Sequence, residues 1–242
     1  MDAALRDVLI VLPAFNEQEP LGATLDELER VVPGVQRLVV NDGSSDATAE
    51  VARQHGVAVA TLPFNLGVGA AMRFGFRYAV ERGFTAVVQF DADGQHNPEY
   101  IPQLVAGLNS ADIVIGARFA GVGEYSTSGP RKWAMQLLSS VISRTAKTTL
   151  TDTTSGFKAN GPRALSLFAK DYPAEYLGDT IESLVVGLRS GLTASQVPVA
   201  MRARAGGQPS QNAWRSTVFL LRAFVALTFA YVRPRSRVEA KG

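Results

Sequence analysis

Two aspartates one residue apart, Asp91 and Asp93, close an apolar run in the stretch VVQFDADGQHNPE, residues 87–99. Carboxylates that close repel each other, and keeping both ionised at the end of a buried strand is costly. A divalent cation removes that cost. In extended backbone, residues two apart point the same way, which would aim both acids at one ion. The chain has no cysteine and only two histidines, which excludes thiolate sites and histidine clusters and leaves oxygen as the ligand atom. Such a donor set suits Mg2+ or Mn2+, typically held by one or two carboxylates plus substrate phosphates. Taken alone, DAD reads equally well as a solvated Asp-Gly turn before a helix started by Pro98.

Two further polar clusters close apolar runs. In LPAFNEQEP, Pro13 ends the run and the following turn exposes Asn16 and Glu17, a pattern that ordinary turn chemistry and acidity at a helix start also explain. In VVNDGSSDAT, Asp42 precedes a Gly-Ser-Ser turn. It reads either as an Asx turn and helix cap or as a buried acceptor for a base or ribose donor. NLGVGAAM carries Gly67 and Gly69 but has Met72 at the third glycine position, which is too little for a dinucleotide fingerprint, and no Walker sequence is present.

Positioning these clusters requires an alternation of strands and helices. Strand-length apolar runs fall near 7–13, 35–41, 57–62, 84–90 and 111–117, with helical patterns at 18–32, 45–55, 68–82 and 98–108. That order predicts an α/β domain with a parallel or mostly parallel sheet, whose ligands bind at the carboxyl ends of its strands. Ser45 or Asp46 is the expected N-cap of the second helix. Beyond residue 118, an amphipathic helix fits 129–147, with Trp133, Leu137 and Val141 at fourfold spacing. A helix at 180–190, a strand at 193–200 and a last apolar helix at 216–232 follow. The division expected is a catalytic domain over 1–212 and an attachment region over 213–242.

With 242 residues, 46% of them apolar, the chain is long enough for a sizeable core. Its net charge of +2 is unevenly spread: residues 201–242 hold eight of the 24 Lys and Arg against one acid, Glu239. A basic tail of this kind suits an anionic surface, whether membrane or nucleic acid, or stays solvated without a partner. The start, MDAALRDVLIVLPAFNE, is acidic where a signal peptide is basic, which predicts a cytosolic start. The apolar run from Ser216 to Val232 is interrupted by Arg222 and is shorter than a span requires. The expectation is peripheral attachment to the inner face of the plasma membrane, the alternative being a helix packed on the domain or in a dimer interface.

PAFNE, NDGSSDAT, NLGVGAAM, DADGQHNPE, GAR, DTTSGFK and VPVAMRARAGG occur in the order seen in family 2 glycosyltransferases, and the set most resembles the dolichol-phosphate-mannose synthase and polyprenyl-phosphate branch. The resemblance implies a GT-A fold, with a mixed, mostly parallel sheet, and an inverting, metal-dependent transfer. It implies a nucleotide-diphosphate sugar (UDP- or GDP-sugar) as donor and a polyprenyl phosphate as acceptor. By the same resemblance Pro13, Phe15 and Glu17 line the nucleoside pocket and Asp42 accepts from the base. Asp91, Ala92, Asp93 and Gln95 form the diphosphate site, with Asp91, Asp93 and Gln95 holding Mg2+ or Mn2+. Arg118, Arg131 and Lys132 lie near the acceptor phosphate, Arg204 closes over the donor diphosphate, and Glu182 is a candidate for positioning or base work. The chain departs from the family pattern at Asn41, Val68, Lys158 and Pro209. The partner surface implied is an anionic membrane and not a nucleic acid, with a homo-oligomer or a membrane-protein partner left open. A saccharide acceptor and a non-catalytic donor-binding role are the rival readings.

Overall fold

The computed structural model describes residues 5–118, 139–173 and 179–202. Arg131, Lys132, Arg204, most of the expected 129–147 helix and the expected 216–232 helix lie outside the described residues. Strand β1 (Val8–Ala14) leads to α1 (Gln18–Val31), β2 (Gln36–Asn41), α2 (Thr48–Gln54), β3 (Ala58–Thr61), α3 (Val68–Glu81) and β4 (Ala86–Gln89). A 3-10 turn at Pro98–Tyr100 opens α4 (Ile101–Gly107), and β5 (Ile113–Ala117) follows. After the gap come helical residues 139–146, β6 (Lys158–Asn160), α5 (Pro162–Asp171), α6 (Asp179–Arg189) and β7 (Ala194–Pro198).

The seven strands form one sheet in the order β3-β2-β1-β4-β6-β5-β7, parallel except for β6, which runs antiparallel to both β4 and β5. The mixed, mostly parallel α/β architecture therefore matches the expectation. The expected strands and first four helices lie within a few residues of their observed bounds, but β6 and α5 are additions. Strand β6 has three residues, Lys-Ala-Asn, and no apolar alternation to announce it. Helix α5 does carry a signal, Pro162 in its first turn and buried Ala164, Leu165, Leu167 and Phe168 at helical spacing.

Strands β1, β4 and β5 are buried along their whole length, as helices on both faces of a sheet require, while the edge strand β3 is not. Leu9 and Val11 of β1 join Leu38, Val40 and Phe76 on one side, while Val8, Ile10 and Leu12 join Leu21, Leu25 and Leu28 of α1 on the other. Phe76, Phe168 and Tyr172 pack with ring centroids 5.1–5.3 Å apart and tie α3 to α5. Ile142 is fully buried in the same cluster, so the described part of the 129–147 helix anchors its end in the core.

The loops at the carboxyl edge are cross-linked to one another. Helix α2 starts at Thr48, with Ala47 as a cap residue that makes no side-chain bond, so neither Ser45 nor Asp46 is the N-cap. Asp46 stands one position earlier and accepts from Thr48 N at 3.0 Å and from Gln18 N at 3.2 Å, joining the starts of α1 and α2. Asn16 adopts φ 55°, a left-handed conformation that Asn tolerates, and its side chain accepts from Ser45 N at 2.9 Å. Gly43 has φ 68°, and a Cβ there would lie 2.4 Å from the Phe64 carbonyl carbon. Only glycine allows the β2 loop to approach the β3–α3 loop this closely.

Helix α3 also seats on β1 through a glycine, because a Cβ on Gly75 would lie 2.6 Å from Val11 Cγ1. Val11 is fully buried and has no room to yield. We expect Gly75→Ala to lower stability by about 1–3 kcal/mol through overpacking, read as a lower urea midpoint with an unchanged m-value.

Candidate active site

The parallel register places Ala14 beside Asn41, so the residues following β1 and β2 emerge together. Lys158 at the start of antiparallel β6 pairs with Gln89 of β4 and Ile115 of β5. Because β6 runs backwards, the loop leading into it, 152–157, reaches the same edge as the residues that leave β4 and β5. Asp42, Asp91, Asp93, Arg118 and the DTTSGFK loop are thus delivered to one edge by four strands, β2, β4, β5 and β6.

Asp42 is buried, and its two carboxylate oxygens accept from Leu66 N at 2.8 Å and Gly67 N at 2.7 Å. The sequence allowed an Asx-turn and helix-cap reading for this residue; its bonds instead go to the loop residues just before α3, across the sheet edge. A negative charge at that helix start is favourable. Pro13 is buried within β1, Phe15 beside it is 45% exposed, and Glu17 is half-buried with its N–H donated to Thr48 Oγ1 at 2.9 Å. An exposed aromatic at a carboxyl edge is a surface on which a planar base can stack.

The backbone at Asp91 and Asp93 differs from the extended form expected. Strand β4 ends at Gln89, and the chain turns at Ala92 and Asp93, so alternation does not set the direction of the two acids. Their surroundings differ accordingly. Asp93 is buried and accepts from Gln95 N at 3.0 Å, closing an Asx turn, whereas the Asp91 side chain is 39% exposed. The Ala92 methyl is buried in the core and its carbonyl accepts from Thr24 Oγ1 at 3.3 Å. Gln95 gives its carbonyl to Arg202 N at 3.0 Å, and Arg202 in turn binds Glu27 through Nη1 at 2.8 and 2.9 Å.

His96, given no role by the sequence reading, lies beneath the loop. It is 1% exposed and stacks on Phe157 at 4.7 Å, with Phe90 edge-on at 5.3 Å. Its Nδ1 accepts from Asp91 N at 3.0 Å, and its Nε2 lies 3.4 Å from Asp91 Oδ2. Burial lowers its pKa to about 4; the nearby Asp93 charge opposes that shift and Arg118 adds to it. The imidazole is neutral at physiological pH.

These residues fit a hard cation. Asp91 and Asp93 offer oxygen, and a Cβ on Gly156 would come within 3.2 Å of Asp91 Oδ2, so glycine there leaves space for the carboxylate. Among the described residues no three or more His, Asp or Glu side chains form a metal cage. A two-carboxylate site completed by substrate oxygens is the arrangement Mg2+ favours.

Arg118 leaves β5 at this edge and is held by a partner the sequence reading did not name. Its Nε and Nη2 donate to the two oxygens of Asp152 at 2.6 and 2.9 Å, its backbone N–H adds a third bond at 3.1 Å, and Nη2 also reaches Thr154 Oγ1 at 2.8 Å. The only signal for Asp152 was its place in DTTSGFK. Glu182 is half-buried near the start of α6, a turn that the buried Lys158 ties down by donating to Thr180 O at 2.8 Å.

Burial alone would raise the pKa of Asp152, but the Arg118 bonds outweigh it and hold the carboxyl below its ordinary value. A depressed folded-state pKa contributes stability above about pH 4, the unfolded value, and loses it as pH falls from there through the folded pKa. Asp152→Asn removes the carboxylate charge that faces a largely buried guanidinium, and we expect it to cost about 3 kcal/mol at pH 7. The stability gap between wild type and variant should narrow below about pH 4, checked by denaturation at several pH values.

Residues 9–168 match the family model described as Glycosyl transferase family 2. An undecaprenyl-phosphate mannosyltransferase from Micrococcus luteus is 36% identical over 195 residues, 77% of this chain and 76% of its own. A dolichyl-phosphate hexose transferase from Haloferax volcanii is 30% identical over 209 residues, 83% of this chain and 85% of its own. Among solved structures, glucosyl-3-phosphoglycerate synthase from Mycobacterium tuberculosis, in complex with Mn2+, UDP and phosphoglyceric acid, has a TM-score of 0.73 at 23% identity, covering 97% of this chain and 82% of that one. At that identity the likeness concerns the fold, which is GT-A. With a family model across most of the described sheet and relatives alike over most of both chains, this protein belongs to glycosyl transferase family 2 and is a glycosyltransferase.

Proposed function

We propose that the protein transfers a sugar from a nucleotide-diphosphate donor to a polyprenyl phosphate, with inversion at the anomeric carbon, while bound peripherally to the cytoplasmic face of a membrane. The observation that carries the reading is the meeting of the Asp91–Asp93 loop and the Asp152-locked Arg118 at one sheet edge. The acceptor class is supported by relatives named for undecaprenyl and dolichyl phosphates. Metal use is supported by the donor set and by the glucosyl-3-phosphoglycerate synthase complexes, which contain Mn2+ or Mg2+ with UDP. No helix among the described residues is long and apolar enough to cross a membrane; peripheral binding is assigned to the basic residues of 213–242.

In this reading Phe15 and the Asp42-braced loop receive the nucleoside, and Asp91, Asp93 and Gln95 hold Mg2+ or Mn2+ against the diphosphate. The cation supplies Lewis-acid neutralisation of charge on the leaving diphosphate. Arg118, with Arg131 and Lys132, draws the acceptor phosphate to the site. A phosphate oxygen forms the new bond to the anomeric carbon as the bond to the diphosphate oxygen breaks, and the electron pair departs with the nucleoside diphosphate. The nucleophile is already an anion, so no base need remove a proton. Glu182 then acts in positioning, and Arg204 adds charge at the diphosphate.

The test is transfer of radiolabelled sugar from UDP- and GDP-sugars to a short polyprenyl phosphate in the presence of Mn2+. A lipid-extractable product is expected, and Asp93→Ala should lower its rate by at least about 100-fold. A product made only on saccharides, or full turnover by Asp93→Ala, would overturn the reading.

A further inference from the structure

The proposed donor site places weight on Asp91, whose carboxylate is part exposed at the end of a turn and has to be aimed. One buried side chain reaches both ends of that residue. The His96 ring takes the Asp91 N–H at Nδ1, 3.0 Å away, and faces Asp91 Oδ2 with Nε2 at 3.4 Å. An Nδ1 that accepts carries no hydrogen, so the ring proton of the imidazole sits on Nε2, whose 3.4 Å approach to the carboxylate is a polar contact rather than an aligned hydrogen bond. The ring itself has little freedom to turn, because it is stacked on Phe157 at an interplanar angle of 15° and met edge-on by Phe90. One rigid plane therefore sets the Asp91 backbone and biases its side chain together.

We infer that His96 is a positioning residue for the donor site: it orients the Asp91 carboxylate for the cation that binds the nucleoside diphosphate. The inference rests on the donor-site reading above. It assigns His96 no contact with substrate and no proton transfer. Polar groups that support a ligating carboxylate from behind sharpen a metal site, at a typical cost of about 10–100-fold in metal affinity when they are removed.

Two substitutions separate the hydrogen bond at Nδ1 from the polar contact at Nε2. His96→Asn can keep an acceptor where Nδ1 stands but cannot reach Oδ2, whereas His96→Gln can place an amide donor where Nε2 stands. The full chain is titrated with Mn2+ by calorimetry in the presence of saturating UDP or GDP, and each variant's melting temperature is taken without metal. Mn2+ affinity should fall about 10-fold or more in His96→Asn, and recover toward wild type in His96→Gln even where the latter melts lower. Wild-type affinity in His96→Asn, or losses in both variants that follow their melting temperatures, would overturn the assignment and leave a merely structural ring. Failure of the wild type itself to bind Mn2+ with either nucleotide would overturn the donor-site reading beneath it.

Discussion

A carboxylate withdrawn from water must be met by donors, and the carboxyl edge of this sheet is organised by that demand. Asp42 is met by two amides at the start of α3, Asp93 by the amide of Gln95, and Asp152 by the fork of Arg118. Each bond joins a loop to another loop or turns a loop on itself. The desolvation that makes these acids expensive is therefore what makes the connections specific, since a shift of either partner would leave a buried charge unpaired.

The antiparallel strand β6 is what brings two halves of the site together. In an all-parallel sheet, residues 152–157 would enter a strand from the opposite edge, far from Asp91. Reversal of one three-residue strand between β4 and β5 delivers Asp152 beside Arg118, Gly156 beside Asp91 and Phe157 beneath His96. The small residues complete the approach. Gly43 and Gly156 remove side chains where backbone or carboxylate must come within van der Waals contact.

Chemistry at such an edge depends on unequal environments for like groups. Asp91 is part exposed and faces a neutral imidazole, while Asp93 is buried and already holds a backbone amide. Charge on His96 is suppressed by burial, so the ring accepts the Asp91 N–H without adding a cation beside the site. Arg118 keeps its charge and is locked in place, which is suited to receiving an anion because little side-chain entropy remains to be lost on binding.

Apolar periodicity alone determined the first four strand–helix alternations and the edge at which the polar clusters gather, because burial of a strand's two faces is written residue by residue. The acids themselves were visible for a related reason: a charge at the end of an apolar run is an anomaly in one dimension. Their partners were not visible, since hydrogen bonds from Leu66 to Asp42, from Arg118 to Asp152 and from Asp91 to His96 follow from backbone direction and loop closure rather than from spacing. The turn at Ala92 and Asp93 and the reversed strand at Lys158–Asn160 belong to the same class. Each is too short to carry a period, and its conformation is set by the elements packed against it, which only the tertiary structure could decide.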